Sequence, residues 1–249
     1  MKPLLLVFLF VPLISYSQAA RFKEIKVKPS PEKYNVDTPT IIYPIIVLTN
    51  NAVAKKINSH IKRNIADFYA DDSTLSVNST LRAAANEGLT DLTYEVTFNK
   101  NGILSLIFWV EGVGAYPSSS KETLNFDLVT GKSLTLKEIF LPEKFNAFKK
   151  TVHQDKINYL KEFKKELKED VSNNETDSSD YDPAVELANE CSKSVSLDQF
   201  IFTSSGISVF DDCDFPHMIQ AMEPVYDLSY KFSMLKSSIK PKRFTQLTQ

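Results

Sequence analysis

Apolar residues fall into two rhythms along this chain, and the switches between them mark out its elements. Residues 22–28 alternate apolar with charged positions, as a half-exposed strand does. Residues 40–48 form a short apolar run whose Pro44 points to an edge strand or an extended lead into a helix. From Asn51 to about Ala70 the period lengthens: Val53, Ile57, Ile61, Ile65 and Phe68 recur every three or four residues. Lys55, Lys56, His60, Lys62 and Arg63 occupy the other faces, and Asn50 or Asn51 is placed to cap this helix. Residues 71–90 are polar and read as irregular.

Period two then returns. Residues 92–98 and 103–110 flank Asn101-Gly102, a strong hairpin signal. A second hairpin is expected from residues 123–129 and 133–136 around Thr130-Gly131, after a bend that contains Gly112 and Gly114. A long helix follows over about 143–168, with Phe145, Phe148, Val152, Ile157, Leu160, Phe163 and Leu167 on one side. Residues 171–182 are acidic and polar and read as a surface loop. Residues 183–190 fit a short helix, and 200–202, 207–210 and 225–232 fit strands. Because hairpins and helices do not alternate as βαβ units, the expected class is α+β: largely antiparallel sheet packed against two long amphipathic helices.

The first residues carry different information. Lys2, the apolar run 3–14 and the small residues Ser15, Ser17 and Ala19 read as a secretory signal peptide cut after Ser17 or Ala19. The run is shorter than the ~20 residues a spanning helix needs, and no later stretch could span a bilayer. The expected organisation is a signal peptide at 1–19, subdomains at 20–117 and 118–238, and a frayed tail at 239–249. Export implies a periplasmic or secreted protein. A net charge of −2 gives no electrostatic reason for nucleic acid as a partner.

In an oxidising compartment the two cysteines, Cys191 and Cys213, are most simply one disulfide. The rival is a metal site at Asp211-Asp212-Cys213-Asp214 with His217, whose spacing matches no EF-hand or zinc motif. No Gly-x-Ser-x-Gly elbow and no His-Glu-x-x-His pair is present, and neither is a phosphate-cradling glycine loop. No catalytic residue, cofactor or metal is therefore assigned. An aromatic ledge of Trp109 and Tyr116 beside Gly112 and Gly114 is the candidate contact surface. Strand alternation places Trp109 in the core, which leaves Tyr116 as the better contact. Asn78 and Asn174 begin glycosylation-type triplets.

Several of these segments taken together resemble a known family. They are Tyr43-Pro44, Ile57-Asn58-x-x-Ile61, Tyr94-Glu-Val, Gly114-Ala-Tyr-Pro117, Asn125-Phe-Asp-Leu-x-Thr-Gly-Lys-x-Leu-Thr-Leu-x-Glu-Ile-Phe140, and Phe200-x-Phe with Gly206-Ile and Phe210. Over roughly residues 40–235 the chain resembles the extracytoplasmic domain of the lysozyme-sensing anti-sigma factor RsiV, which also precedes the catalytic part of PdaC-type peptidoglycan deacetylases. The resemblance implies a non-catalytic, envelope-facing binding module whose ligand is a lysozyme-like protein or a cell-wall glycan. An envelope hydrolase and a structural assembly protein are the alternatives. Tyr116 stands where many relatives carry His, so a shared role of that turn does not carry over.

Overall fold

The computed structural model describes residues 19–28, 40–66, 74–114, 117–173 and 178–249. The expected signal peptide, apart from its last residue, and the Asn174 triplet lie outside the described residues.

Five strands form the first sheet in chain order: β1 (Arg21–Val27), β2 (Ile41–Val47), β3 (Leu89–Lys100), β4 (Ile103–Val113) and β5 (Pro117–Asp127). Neighbours are antiparallel except β2 and β3, which run parallel and meet at Ile41 and Leu92. β2 is thus an inner strand rather than an edge. It tolerates Pro44 because pairing with β3 stops early. Further along, Asn58 takes the place of a neighbouring strand, accepting from Ile46 N at 2.8 Å and donating to Ile46 O at 2.9 Å. Asn101 and Gly102 turn the β3–β4 hairpin with φ of 51° and 78°, the left-handed pair that this tight turn needs.

One face of this sheet is covered by α1 (Asn51–Ile61), which continues as a π-helical turn over Lys62–Ala66, and by α2 (Val77–Glu87). Asn50 caps α1 through Ala52 N and Val53 N, and its stripe of Val53, Ala54, Ile57 and Ile61 is buried. α2 corrects the reading of residues 71–90 as irregular. Ser76 caps it, Gly88 ends it with φ of 132°, and Leu81, Ala84 and Ala85 sit in the core.

The second hairpin expected around Gly131 shrinks to a single bridge, Phe126 with Ser133, flanked by hydrogen bonds from Asp127 N to Lys132 O and from Leu134 N to Asn125 O. β5 pairs with β4 along its whole length. Asp127 closes the turn, accepting from Val129 N and Thr130 N at 3.0 Å each. A short helix α3 (Leu136–Ile139) follows, opened by a reciprocal Thr135–Glu138 capping box. The division expected between 117 and 118 falls inside β5, so the first sheet crosses it.

α4 (Pro142–Ser172) runs 31 residues, and α5 (Ser178–Cys191) packs against its second half around Leu160, Leu167, Ala184 and Ala188. Helix therefore occupies described parts of the segment 171–182 that read as a loop. A second antiparallel sheet, β6 (Gln199–Phe202), β7 (Gly206–Phe210) and β8 (Leu228–Lys231), packs its aromatic side chains with Phe140, Phe148 and Val152. The chain ends with α6 (Phe232–Leu235) and α7 (Pro241–Thr248). α7 replaces the frayed tail that was expected. Leu247 is fully buried, Arg243 pairs with Asp127 at 2.9 Å, and Gln246 exchanges two hydrogen bonds with Asn101. Architecture and class agree with the α+β expectation.

Side chains join the two sheets. Ser105 Oγ donates to Asn125 Oδ1 at 2.6 Å, and Asn125 Nδ2 donates to Phe200 O at 2.6 Å. Phe202 N donates to Ser105 Oγ, and Phe200 N to Thr123 Oγ1. The Asn125-Phe-Asp block is therefore a folding element: Asn125 stitches, Phe126 packs and Asp127 turns.

Candidate functional site

Parity along β4 decides what the site contains. Leu104, Leu106, Phe108 and Val110 face the helices. Ile103, Ser105, Ile107 and Trp109 face the other way, toward the second sheet. Ile103 joins the second core, Ser105 reaches Phe202, and Ile107 packs with Ile201 and Phe210. Trp109 lies one step beyond this covered stretch and is 38% exposed. The expectation that alternation buries Trp109 is thus corrected: it lies on the outer face where the second sheet has ended.

Two adjoining hollows of about 790 and 580 Å³ meet at Trp109, Lys121, Phe210 and Val225. The floor is the outer face of β4 and β5. The far wall is the segment 211–225 that follows β7. Lys121 lies across from Trp109 in the strand register, its Nζ 4.1 Å from the Phe210 ring centroid and 3.9 Å from Asp212. Val225, 83% exposed, adds an apolar rim. Carboxylates dominate the larger hollow: Glu111, Glu122, Asp211, Asp212, Asp214 and Glu223 line it, against Lys121.

The wall is pinned at several points. Cys191 and Cys213 form a disulfide, so Cys213 has no thiolate to offer a metal. Lys156, on α4, reaches Asp211 at 2.6 Å with the two side chains only 3% and 11% exposed. Tyr226 donates its hydroxyl to the Asp211 carbonyl, and its ring lies 4.8 Å from that of Tyr159. Tyr159 in turn donates to Val225 O at 2.8 Å. Glu223 accepts from Cys213 N at 2.9 Å. Burial pushes the Glu223 carboxyl above its ordinary value, backbone hydrogen bonds from Cys213 and Phe215 pull against it, and neighbouring Asp212 adds to the rise. Burial and the nearby Asp211 charge raise the Tyr226 hydroxyl well above its usual range.

Of the residues expected to make contacts, Trp109 lines this groove and Tyr116 lies outside the described residues, as does the His217 side chain. Gly112 pairs with Leu89 and Ser118 inside the sheet, and neither it nor Gly114 lines the groove. Glu111 and Glu122 lie on β4 and β5, whereas Phe210, Asp211, Asp212, Asp214 and Glu223 come from a segment roughly ninety residues away. Only the second sheet brings the two groups together: the acidic run 211–214 stands out in the sequence as a rival metal site, not as the wall of a groove at Trp109.

No protein-family model matches the chain, and no curated protein does. Solved structures do match. A member of the DUF3298 family from Bacteroides fragilis shares 15% identity at a TM-score of 0.59, over 93% of this chain and 98% of that one. A DUF3298 family protein from Pseudomonas aeruginosa shares 12% identity at a TM-score of 0.57, over 92% and 98%. The chain has the DUF3298 fold. At these identities the likeness extends to architecture, in agreement with the resemblance drawn from the Asn125–Phe140 block.

Proposed function

We propose that this protein is a non-catalytic, exported binding module of the bacterial envelope, and that its ligand is a protein with a cationic surface, lysozyme-like in charge. The groove at Trp109 carries the proposal: of its six carboxylates Lys156 neutralises Asp211 and Lys121 lies beside Asp212, which leaves an acidic excess around an exposed indole and the apolar Phe210 and Val225. Such a surface recruits positive charge over a distance and anchors it by aromatic contact. The signal-peptide pattern and the Cys191–Cys213 bond support export. Trp109 lining the same hollow as Gln199 and Gln220 favours a second reading, a cell-wall glycan stacked on the indole.

Biolayer interferometry against hen lysozyme and, separately, a pull-down on purified peptidoglycan test both. Binding to lysozyme that weakens as salt rises is the expected result. Binding to peptidoglycan alone moves the ligand to glycan. Binding to neither refutes the module reading, and release of soluble sugar from peptidoglycan replaces it with a hydrolase.

A further inference from the structure

We infer that the outer half of β5, residues 117–121, is a docking edge on which an extended, cationic segment of the partner protein adds as a sixth strand. This rests on the binding reading above and specifies how the partner is held.

The argument starts from the direction of main-chain groups. β5 is the last strand of its sheet. Thr123 N donates to Gln199 Oε1, Asn125 O accepts from Leu134 N, and Asp127 N donates to Lys132 O. These three odd-numbered residues turn their main-chain groups away from β4. The register of β5 on β4 runs without a shift from Asp127 to Pro117. Period two therefore turns Ser119 and Lys121 outward as well. At 123–127 each outward residue is engaged at one main-chain group or both, the first by the Gln199 side-chain amide, which stands in for a neighbouring strand. At 117–121 no described residue hydrogen-bonds the outward main chain, and residues 117–120 are exposed. The open stretch begins where Gln199 stops sealing the edge, and there the groove begins: Ser119, Ser120 and Lys121 line it.

An open edge supplies main-chain affinity, and its flanking side chains choose the occupant. Glu111 sits beside Ser119 in the register on the Trp109 face, and Glu122 lines the same groove, accepting from Gln199 Nε2 at 2.9 Å. Asp212, Asp214 and Glu223 stand on the far wall. A strand laid here meets carboxylates from the floor and from the far wall of the groove, which selects Lys- or Arg-bearing side chains and disfavours acidic ones. About five residues of strand, roughly 17 Å, fit the open length. Pro117 offers no N–H, so donation to the partner comes from Ser119 and Lys121.

The chain's one tryptophan, Trp109, reports binding directly. The probes are acetyl-(Lys-Thr)5-amide, its fully N-methylated form and acetyl-(Glu-Thr)5-amide, each titrated against the protein while Trp109 emission is followed. The expected result is a saturable change with the first peptide and none with the other two over the same range. Ser119→Pro removes an outward N–H that the β4 ladder does not use, so its melting curve stays close to wild type. It weakens both the Lys-Thr peptide and lysozyme by about tenfold. Equal binding of the N-methylated peptide, or an unchanged affinity in Ser119→Pro, overturns strand addition. If lysozyme still binds in that case, the groove reading stands and Pro117 and Lys121 merely guard the edge against aggregation. If neither lysozyme nor any peptide binds, the binding reading and this inference fall together.

Discussion

Replacing Lys156 by Met removes a charge while keeping the length and most of the volume of the side chain, and it isolates what pins the groove wall to α4. Lys156 Nζ lies 2.6 Å from Asp211 Oδ2, and both side chains are almost out of water. At an effective dielectric near 20, unit charges at that separation attract by about 6 kcal/mol, much of which offsets the cost of desolvating the two ions. The pair is therefore worth little net, but its rupture is costly. Lys156→Met would leave the Asp211 carboxylate buried with only the Ser196 amide, at 3.2 Å, on its other oxygen. A loss of roughly 3–5 kcal/mol follows. With a urea m-value of about 3 kcal/mol/M, the midpoint falls by about 1 M or a little more. Lys156→Met with Asp211→Asn removes both charges and keeps an acceptor for Ser196, and it recovers most of that loss. Urea titrations followed by far-UV circular dichroism at neutral pH measure all three proteins. A single variant that loses under about 1 kcal/mol, or a double variant as unstable as the single, refutes the account of the pair as a buried, mutually neutralising pin.

Three further outcomes are expected. Cys191→Ser with Cys213→Ser opens a loop spanning 22 positions and costs about 3 kcal/mol on the chain-entropy model, read from the shift in urea midpoint. Glu223→Gln mimics the protonated acid. Because burial raises the folded carboxyl above its unfolded value, the stability Glu223 contributes is full below the unfolded pKa and is lost as pH rises through the folded one. The Gln variant therefore melts higher than wild type at neutral pH and equally at pH well below the ordinary carboxyl range, as calorimetry at the two pH values checks. Asn125→Ala strands Phe200 O and the Ser105 hydroxyl in a buried seam and costs about 2–4 kcal/mol, measured by the same urea titration.

Local rules made much of the fold legible. The Asn101-Gly102 turn, the α1 stripe and the long α4 each follow from residues within a few positions of one another. α2 was obscured because its buried face is small: Thr80, Ala84 and Ala85 accompany Leu81, and alanine-rich faces register weakly in an apolar period. Ser76 and Gly88 were its better signals. Lys156 was hidden for the opposite reason, a charged residue on a buried face whose justification, Asp211, lies 55 positions away. Trp109 shows the limit most plainly. Alternation assigns it to a face, but whether that face is covered depends on where β6 and β7 end. The site shares this dependence. Glu111, Lys121, Gln199, Phe210 and Glu223 become neighbours only once the two sheets have docked.

Phe200 and Phe202 spend their main-chain N–H groups outside their own sheet, on Thr123 Oγ1 and Ser105 Oγ. Ile201 between them points its N–H the other way, into the pairing with β7. Sliding the sheets apart would bare the two outer amides while the ladder around Ile201 stayed closed. Deuterium uptake at Phe200 and Phe202 measured against Ile201 is thus a built-in gauge of docking, separate from the melting of either sheet. Since the groove exists only when the sheets are docked, the same three amides time how often it opens and closes.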